Sequence, residues 1–532
     1  MKQGLNLIPI AIGLLVLGCF AIGGLYFFQS SKDDAAAGST SDRGKIASNI
    51  KVGGDPWIGY MPLASTKNKT NLRRKGITLQ YLSDGGDYQK RMQQVRDGKL
   101  DMAVVTVDAN LLNTPDFNRG GVIVAVIDQS SGGDAMVCDA SEISSVGDFT
   151  LKTEWKVAFT PNSPSHHLLR AMGNDFGIDA FLQDRGSWRV ESDGSSDALE
   201  KFKSGSVDCA VLWQPDVVRA LQGSNNKKVI FSSADADKLI VDVLIVHRKH
   251  LLPSSKMRPY IEMVIDEYFK TLHVLTGDEA LLLKEAKSYL RTFDGGKYTN
   301  AEIQSMLDGV TWVNLKENGE SWFGIGGDSP YYGLNQAHDF ALSIIRGEKG
   351  KGYEKLFRPE SITDSSFIKT LYERSSINEK NSTVTDPLKL RFPSLSELEW
   401  NTLSTQGALR SRRIVFTPGS LKLDDSSVRA IGEAMNDFKR YPKSRLEVQV
   451  GYIVGSTESA NLEAKKSATI RAEAVHNYLV STYDLDPNRL RVYVPEPQYV
   501  ATVIPQADDE GGRAYRSRLR EARLVLRRSV NN

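Results

Sequence analysis

Two stretches of the chain repeat one pattern of apolar and polar positions. Tyr88–Arg96 carries Met92 and Val95 at i,i+3, and Asp197–Lys203 carries Leu199 and Phe202 at the same spacing, so both predict amphipathic helices. Each is followed by a glycine stop (Gly98, Gly205), then by an aspartate that opens a buried strand: Asp101-Met102-Ala103-Val104-Val105 and Asp208-Cys209-Ala210-Val211-Leu212. Upstream of each unit a strand leads into a polar loop and a helix start. Ile77–Leu82 runs into Ser83-Asp84-Gly85-Gly86-Asp87, and Lys156–Thr160 into Pro161-Asn162-Ser163-Pro164-Ser165. Ser163 and Pro164 suit an N-cap and a first helical position, with Leu168, Leu169 and Met172 facing a core. The pattern predicts two α/β lobes of similar build, the second over about 139–240. Beyond a connector at 376–410 the periods change. A strand at Ile414–Phe416, a helix Asp425–Arg440, a strand Leu446–Val450, a helix through Ala472–Val480, and strands Arg489–Tyr493 and Ala522–Leu526 predict a small β-α-β-α-β-β module over 411–532.

The N-terminus follows neither period. Leu5–Phe28 is 24 residues without a charge, flanked by Lys2 and by Lys32, Asp33 and Asp34. As a helix it would be about 36 Å long, enough to span a bilayer with tilt. Residues 1–28 are therefore expected to be an uncleaved transmembrane anchor, and 29–50 a flexible polar tether to a binding region at 51–375. Val16-Leu17-Gly18-Cys19 resembles a lipoprotein cleavage box, so lipidation at Cys19 is the alternative, although apolar residues continue through Phe28. The short basic N-terminus places the start of the chain in the cytoplasm. The expected location is the inner membrane, single-pass, with the bulk in the periplasm.

The 532 residues include 67 Lys and Arg against 65 Asp and Glu. A balance this even excludes a dedicated nucleic-acid binder, and nucleic acid is not an expected partner. The surplus that exists is local, with 21 basic against 15 acidic residues from Asn401 onward. Three cysteines exclude a disulfide framework or a cysteine-built zinc site, and Cys138 and Cys209 read as two separately buried thiols rather than a bridge.

In open α/β sheets, ligands sit beyond the carboxyl ends of strands, near helix N-termini. Here the segment from about Val52 to Tyr372 resembles the type 2 periplasmic solute-binding proteins, nearest the nitrate/sulfonate/taurine and thiamine-precursor class. The residues that carry the resemblance are Trp57-Ile58-Gly59-Tyr60, Gly98…Asp101, Gly205…Asp208 and Trp213-Gln214-Pro215. It implies two lobes hinged on crossovers near Asp134–Asp139 and Val241–His247. It also implies a cleft bordered by Trp57, Ser83, Asp84, Gly85, Gly86, Asp108, Ser163, Ser165, Trp213 and Gln214. Helix N-termini tilt the expected small polar ligand toward an anion, while Asp84, Asp87, Asp108 and Asp216 oppose a strongly charged one.

The C-terminal order, over about Arg412 to Arg528, resembles the OmpA-like peptidoglycan-binding domain. The match rests on Phe416, Gly451, Arg471-Ala472-Glu473-Ala474-Val475 and Gly512-Arg513-Ala514. The resemblance implies that Arg471 holds a wall-peptide carboxylate, an arginine fork being suited to that task. This chain has Gly451-Tyr452-Ile453-Val454 where the family has Gly-His-Thr-Asp, and Glu458 or Glu463 is the expected substitute acid.

No Ser-His-Asp, Cys-His or metal-ligand spacing stands out, so no catalytic residue, metal or cofactor is expected and the chain reads as a non-enzyme. His166 and His167 read as cleft-lining or surface residues. The expected partners are a small-molecule ligand, peptidoglycan, the membrane, and a membrane protein or ABC permease. The expectation is a membrane-anchored solute-binding or sensing protein. Its alternatives are the substrate-binding component of an ABC-type transporter and a structural envelope scaffold with a degenerate cleft.

Overall fold

The computed structural model describes residues 46–113, 121–223, 226–294, 297–325, 333–349, 362–375, 386–410, 413–416 and 423–529. The expected anchor and most of the tether lie outside the described residues. Among the described residues no helix is long and apolar enough to cross a membrane.

The chain enters lobe 1 through β1 (Ser48–Gly54), β2 (Ile77–Ser83), β3 (Met102–Thr106) and β4 (Gly121–Ser130). It crosses to lobe 2 for β5 (Asp134–Asp139), β6 (Val157–Phe159), β7 (Arg189–Glu191), β8 (Cys209–Trp213) and β9 (Lys227–Ser232). It returns to lobe 1 for β10 (Val241–His247) and β11 (Val310–Trp312). β1 begins inside the segment expected to be tether, because Ile50 is fully buried and Ser48 already pairs in register with Ile77.

Lobe 1 has the strand order β11-β4-β10-β3-β1-β2, and lobe 2 has β7-β6-β8-β5-β9. Read from β2 and from β7, the first five positions match. A parallel trio (β2-β1-β3; β7-β6-β8) is followed by an antiparallel strand (β10; β5) and then by a second antiparallel neighbour (β4; β9). The inserted strand of each sheet is the first strand after a crossing. The crossings themselves are Ser131–Gly133 and 233–240, just ahead of the segments expected.

The repeated Gly…Asp motif has one structural role in both lobes. Gly98 (φ +68°) and Gly205 (φ +73°) take the left-handed conformation that ends each helix. Asp101 then accepts a hydrogen bond from the Lys51 amide at 3.0 Å, and Asp208 from the Lys156 amide at 2.7 Å. Each carboxylate thereby ties the end of its helix–strand unit to the neighbouring parallel strand. The motif builds the lobes.

Cys138 and Cys209 face one another across β5 and β8 and form a disulfide, which corrects the reading of two separate thiols. Position in sequence, 71 residues apart, concealed a pairing that the antiparallel register creates.

The module has β12 (Ser404–Ala408), β13 (Arg445–Val450), β14 (Leu490–Tyr493) and β15 (Ala522–Arg528), in the order β12-β15-β13-β14. The helices Asp425–Phe438 and Glu458–Tyr483 carry its core side chains, among them Ile431, Phe438, Ala472 and Leu479. Its first sheet strand lies in the expected connector, while Ile414 and Phe416 make only isolated bridges. Ser404-Thr405-Gln406-Gly407-Ala408 has no apolar alternation, so an edge strand there gave no signal.

Nor is the module a loosely tethered bead. Its core is continuous with that of lobe 2: Phe176 packs against Phe231 (5.6 Å between ring centroids) and Tyr441 (5.9 Å). Buried Asp175 of lobe 2 accepts bonds from Tyr441 Oη (2.6 Å) and the Arg440 guanidinium of the module. Asp235, in the second crossing, accepts from Gln406 Nε2 (2.8 Å) and Arg528 Nη1 (2.6 Å).

Candidate functional site

Lobes 1 and 2 meet around a small cavity, about 30 Å³ inside an open-mouthed space of about 360 Å³, at the root of both crossings. Asp55, Trp57, Gly86, Tyr88, Thr106 and Asp242 line it from lobe 1, and Asp134, Pro164 and Trp213 from lobe 2; Ile240 closes it from the second crossing. Several sit where a strand ends or begins, and Tyr88 and Pro164 where a helix begins. Asp55 follows β1, Thr106 ends β3, Trp213 ends β8, and Asp134 and Asp242 lie at the starts of the two strands that follow the crossings.

Behind the wall, Arg91 is fully buried and spent on protein partners. It forms a two-point pair with Asp84 (Nε and Nη2, both 2.6 Å), a bond to Asp55 Oδ2 (2.8 Å) and one to the Val104 carbonyl (2.8 Å). Asp84, expected to meet a ligand, is therefore an internal counter-ion. Burial outweighs the Arg91 pair and raises its carboxyl above the usual range. Gly86 lines the cavity, but its amide donates to Asp84 Oδ1 at 3.0 Å. Ser83 and Gly85 are exposed, away from the lining residues, and Ser83 Oγ accepts weakly from the Gly85 amide at 3.4 Å.

The second expected loop behaves likewise. Ser163 caps the helix Pro164–Phe176, accepting from the Ser165 amide (3.2 Å) and donating to the Thr160 carbonyl (2.7 Å). Ser165 is fully buried and its hydroxyl has no partner among the described residues. Of this loop only Pro164 reaches the cavity. Trp213 does too, while the half-buried Gln214 stands beside it off the lining, its side-chain oxygen buried without a donor. Asp108 is buried at the start of the helix Val107–Leu112, outside the lining. His166 and His167 are neither cleft-lining nor surface residues; both are buried in the helix after Ser163, His166 against Phe159 and His167 against Phe340.

Sequence reasoning missed the acids. Asp128, Asp134 and Asp242 are buried at 0%, 4% and 2% exposure, with hydroxyl or indole donors but no cation beside them among the described residues. Asp128 accepts from Trp57 Nε1 (3.3 Å), Asp134 from Ser130 Oγ (2.7 Å), and Asp242 from Tyr60 Oη. Burial pushes Asp134 up to about 7, reinforced by Asp108 and Asp55. Burial likewise pushes Asp128 up to about 7, and burial followed by the charge of Asp128 drives Asp242 well above the carboxylate range. Asp128 and Asp242 are register partners across β4 and β10, so they titrate as a pair. The close fit around them explains Gly59: a Cβ there would lie 2.0 Å from Asp128 Oδ2. A signal was available, since Asp134 and Asp242 stand in the predicted crossovers, and acids inside apolar strands need a reason.

In the module, Arg471 is half-buried and unpaired with any acid among the described residues; burial, then Arg520, lowers its pKa. Glu458 begins the same helix, 13 residues earlier, which is about 20 Å along the axis. The structure therefore does not bring Glu458 to Arg471. Val454 is exposed. A wider groove between lobe 2 and the module is lined by Arg410, Arg413, Arg518 and Arg523. The first three are paired with Asp179, Glu521 and Glu510.

No protein-family model matches the chain. No curated protein matches it either. Among solved structures it is similar to a periplasmic sulfonate-binding protein, SsuA, from Methylobacillus flagellatus (14% identity, TM-score 0.45, 62% of this chain and 96% of that one). It is also similar to the periplasmic aliphatic sulphonate-binding protein of Escherichia coli (15%, 0.44, 59% and 97%). A third is the periplasmic nitrate-binding protein NrtA of Synechocystis (11%, 0.44, 62% and 89%). At these values none of the three assigns a ligand or a role. What the chain's own topology establishes is an α/β protein of two matched lobes, with a lined cavity where they join.

Proposed function

We propose that the chain is a membrane-tethered, extracytoplasmic binding protein that captures a small solute between its two lobes and is positioned by its C-terminal module. The observation that carries this reading is the pair of sheets with one strand order, joined by two crossings that lead directly into strands whose starts, at Asp134 and Asp242, line the shared cavity. Two short adjacent crossings are a hinge by construction, and a ligand that touches both lobes stabilises the closed form by its differential contacts. The Cys138–Cys209 bond supports an oxidising compartment such as the periplasm. The fastening of the module to lobe 2 and to the second crossing favours sensing or scaffolding over delivery of cargo to a permease. Closure would then reorient the module relative to lobe 1.

Wall attachment belongs to the same proposal and rests on Arg471, whose guanidinium meets no carboxylate among the described residues. The reading is tested by a thermal-shift screen of small solutes on the full chain. A rise in melting temperature with one chemical class supports capture, and none across cations, anions and neutral solutes leaves the structural scaffold. Sedimentation with purified sacculi tests the module. Wild type should pellet and Arg471→Ala should not; a wild type that stays in the supernatant ends the anchoring proposal.

A further inference from the structure

We infer that the cavity between the lobes takes a small organic cation, an ammonium ion, rather than an anion. The inference rests on the reading of this cleft as a solute site and names its ligand class. Three of the ten lining residues are carboxylates (Asp55, Asp134 and Asp242), three are aromatic (Trp57, Tyr88 and Trp213), and none is Lys, Arg or His. The nearby cation, Arg91, lies behind the wall and is saturated by Asp55, Asp84 and the Val104 carbonyl.

Asp134 supplies an independent observation. It is 4% exposed, its Oδ2 receives only the Ser130 hydroxyl, and no cation stands beside it among the described residues. A buried carboxylate in that state is costly unless something donates to it. Asp242 faces the same space with Tyr60 as its donor, and Asp128 lies directly behind it with one oxygen unpartnered. An entering anion would meet Asp134 and Asp242, which have no cation beside them among the described residues, while of the three lining carboxylates Arg91 offsets Asp55 alone. An entering ammonium would give hydrogen bonds or charge to Asp134 and Asp242 and would lie among the aromatic side chains of Trp57 and Trp213, whose ring quadrupoles favour a cation, the Tyr88 ring being already covered by Arg91. A bare metal ion fits less well. No group of three acid, histidine or cysteine side chains among the described residues is arranged to hold one, and aromatic walls offer a metal no ligands.

Because Asp134 and Trp213 belong to lobe 2, and Asp55, Trp57, Tyr88 and Asp242 to lobe 1, one cation would draw both lobes together. The test is calorimetric titration of the full chain with tetramethylammonium, choline and ethylammonium on one side, and inorganic phosphate, nitrate and ethanesulfonate on the other. The expected result is binding of at least one ammonium and none of the anions. Asp134→Asn should weaken that binding by about tenfold or more, the scale of a lost charge-assisted hydrogen bond. Trp213→Leu, which leaves every carboxylate in place, should weaken it as well. Asp134→Asn removes a buried charge without changing shape, so it is expected to fold and to melt no lower than wild type. Binding of an anion without any ammonium overturns the inference while leaving capture between the lobes intact. Ammonium binding untouched by both substitutions also overturns it, and binding of nothing in either panel removes the reading of the cleft itself.

Discussion

Replacing Asp175 with alanine should unfold lobe 2 and the C-terminal module together at a lower temperature. The carboxylate is 1% exposed and holds two groups of the module at once: the Arg440 guanidinium, whose side chain is 17% exposed, and Tyr441 Oη at 2.6 Å. Burial opposes the charge on Arg440, but Asp175 and then Asp437 more than restore it, so its pKa lies above that of free arginine. Removing one partner of a buried pair costs about 3–5 kcal/mol, because the remaining charge stays buried. Asp437 still bonds Arg440 at 2.8 Å, which places the expected loss near the lower end, at about 3 kcal/mol. For a cooperative unit of this size that is a fall of about 6–12 °C in melting temperature. Scanning calorimetry of the full chain reads it, and Arg440→Met with the double variant completes a cycle whose coupling should be about 2 kcal/mol. A fall of less than about 2 °C, or a module transition that moves without lobe 2, would refute the continuous core from Phe176 to Tyr441.

Other outcomes follow from the same structure. Denatured without reductant, the chain should show one reactive thiol, Cys19, and three after reduction, since Cys138 and Cys209 are bonded; three thiols before reduction would break that assignment. Reducing the bond and blocking the thiols should cost about 4 kcal/mol, the loop-closure scale for residues this far apart. The acid cluster predicts a pH dependence with a definite sign. Asp128 and Asp134 have folded-state values near 7, above the unfolded carboxylate, so the folded chain binds more protons between about pH 4 and 7. Stability of the unligated protein therefore falls as pH rises through 7, and ammonium affinity falls as pH drops below 7. Asp55, Asp108 and Asp242, Arg91, and the Trp57, Tyr60 and Ser130 donors are the groups that face this pair. Affinity measured at pH 5.5 and 8 checks the sign, and tighter ammonium binding at the acid end would contradict it.

The sequence carried the lobes more legibly than the site. Helix–Gly–Asp units repeat because each lobe needs the same tie between a helix end and its parallel strand, and that periodicity is local. What the sequence could not display was pairing at a distance. Cys138 meets Cys209, Asp128 meets Asp242, and Arg91 reaches Asp84 and Asp55 only through sheet register and packing. For that reason Asp84 read as a ligand residue when it is a counter-ion, and Asp134 and Asp242 read as crossover positions when they line the cavity. Trp57, Gly86 and Trp213 do line it, whereas Ser83, Gly85, Asp108, Ser163, Ser165 and Gln214 stand off the lining. Strand β12 escaped notice because an edge strand of small polar residues needs no apolar alternation to pair with β15.

The most direct test of a hinge that closes on a solute is the distance between the lobes in solution. Spin labels at Gln89→Cys on lobe 1 and Lys203→Cys on lobe 2, both exposed positions, would report it in the full chain with Cys19 replaced by serine. A distance distribution that shortens and narrows when choline or tetramethylammonium is added is the predicted result. A distribution unchanged by every cation and anion in the two panels would contradict the account.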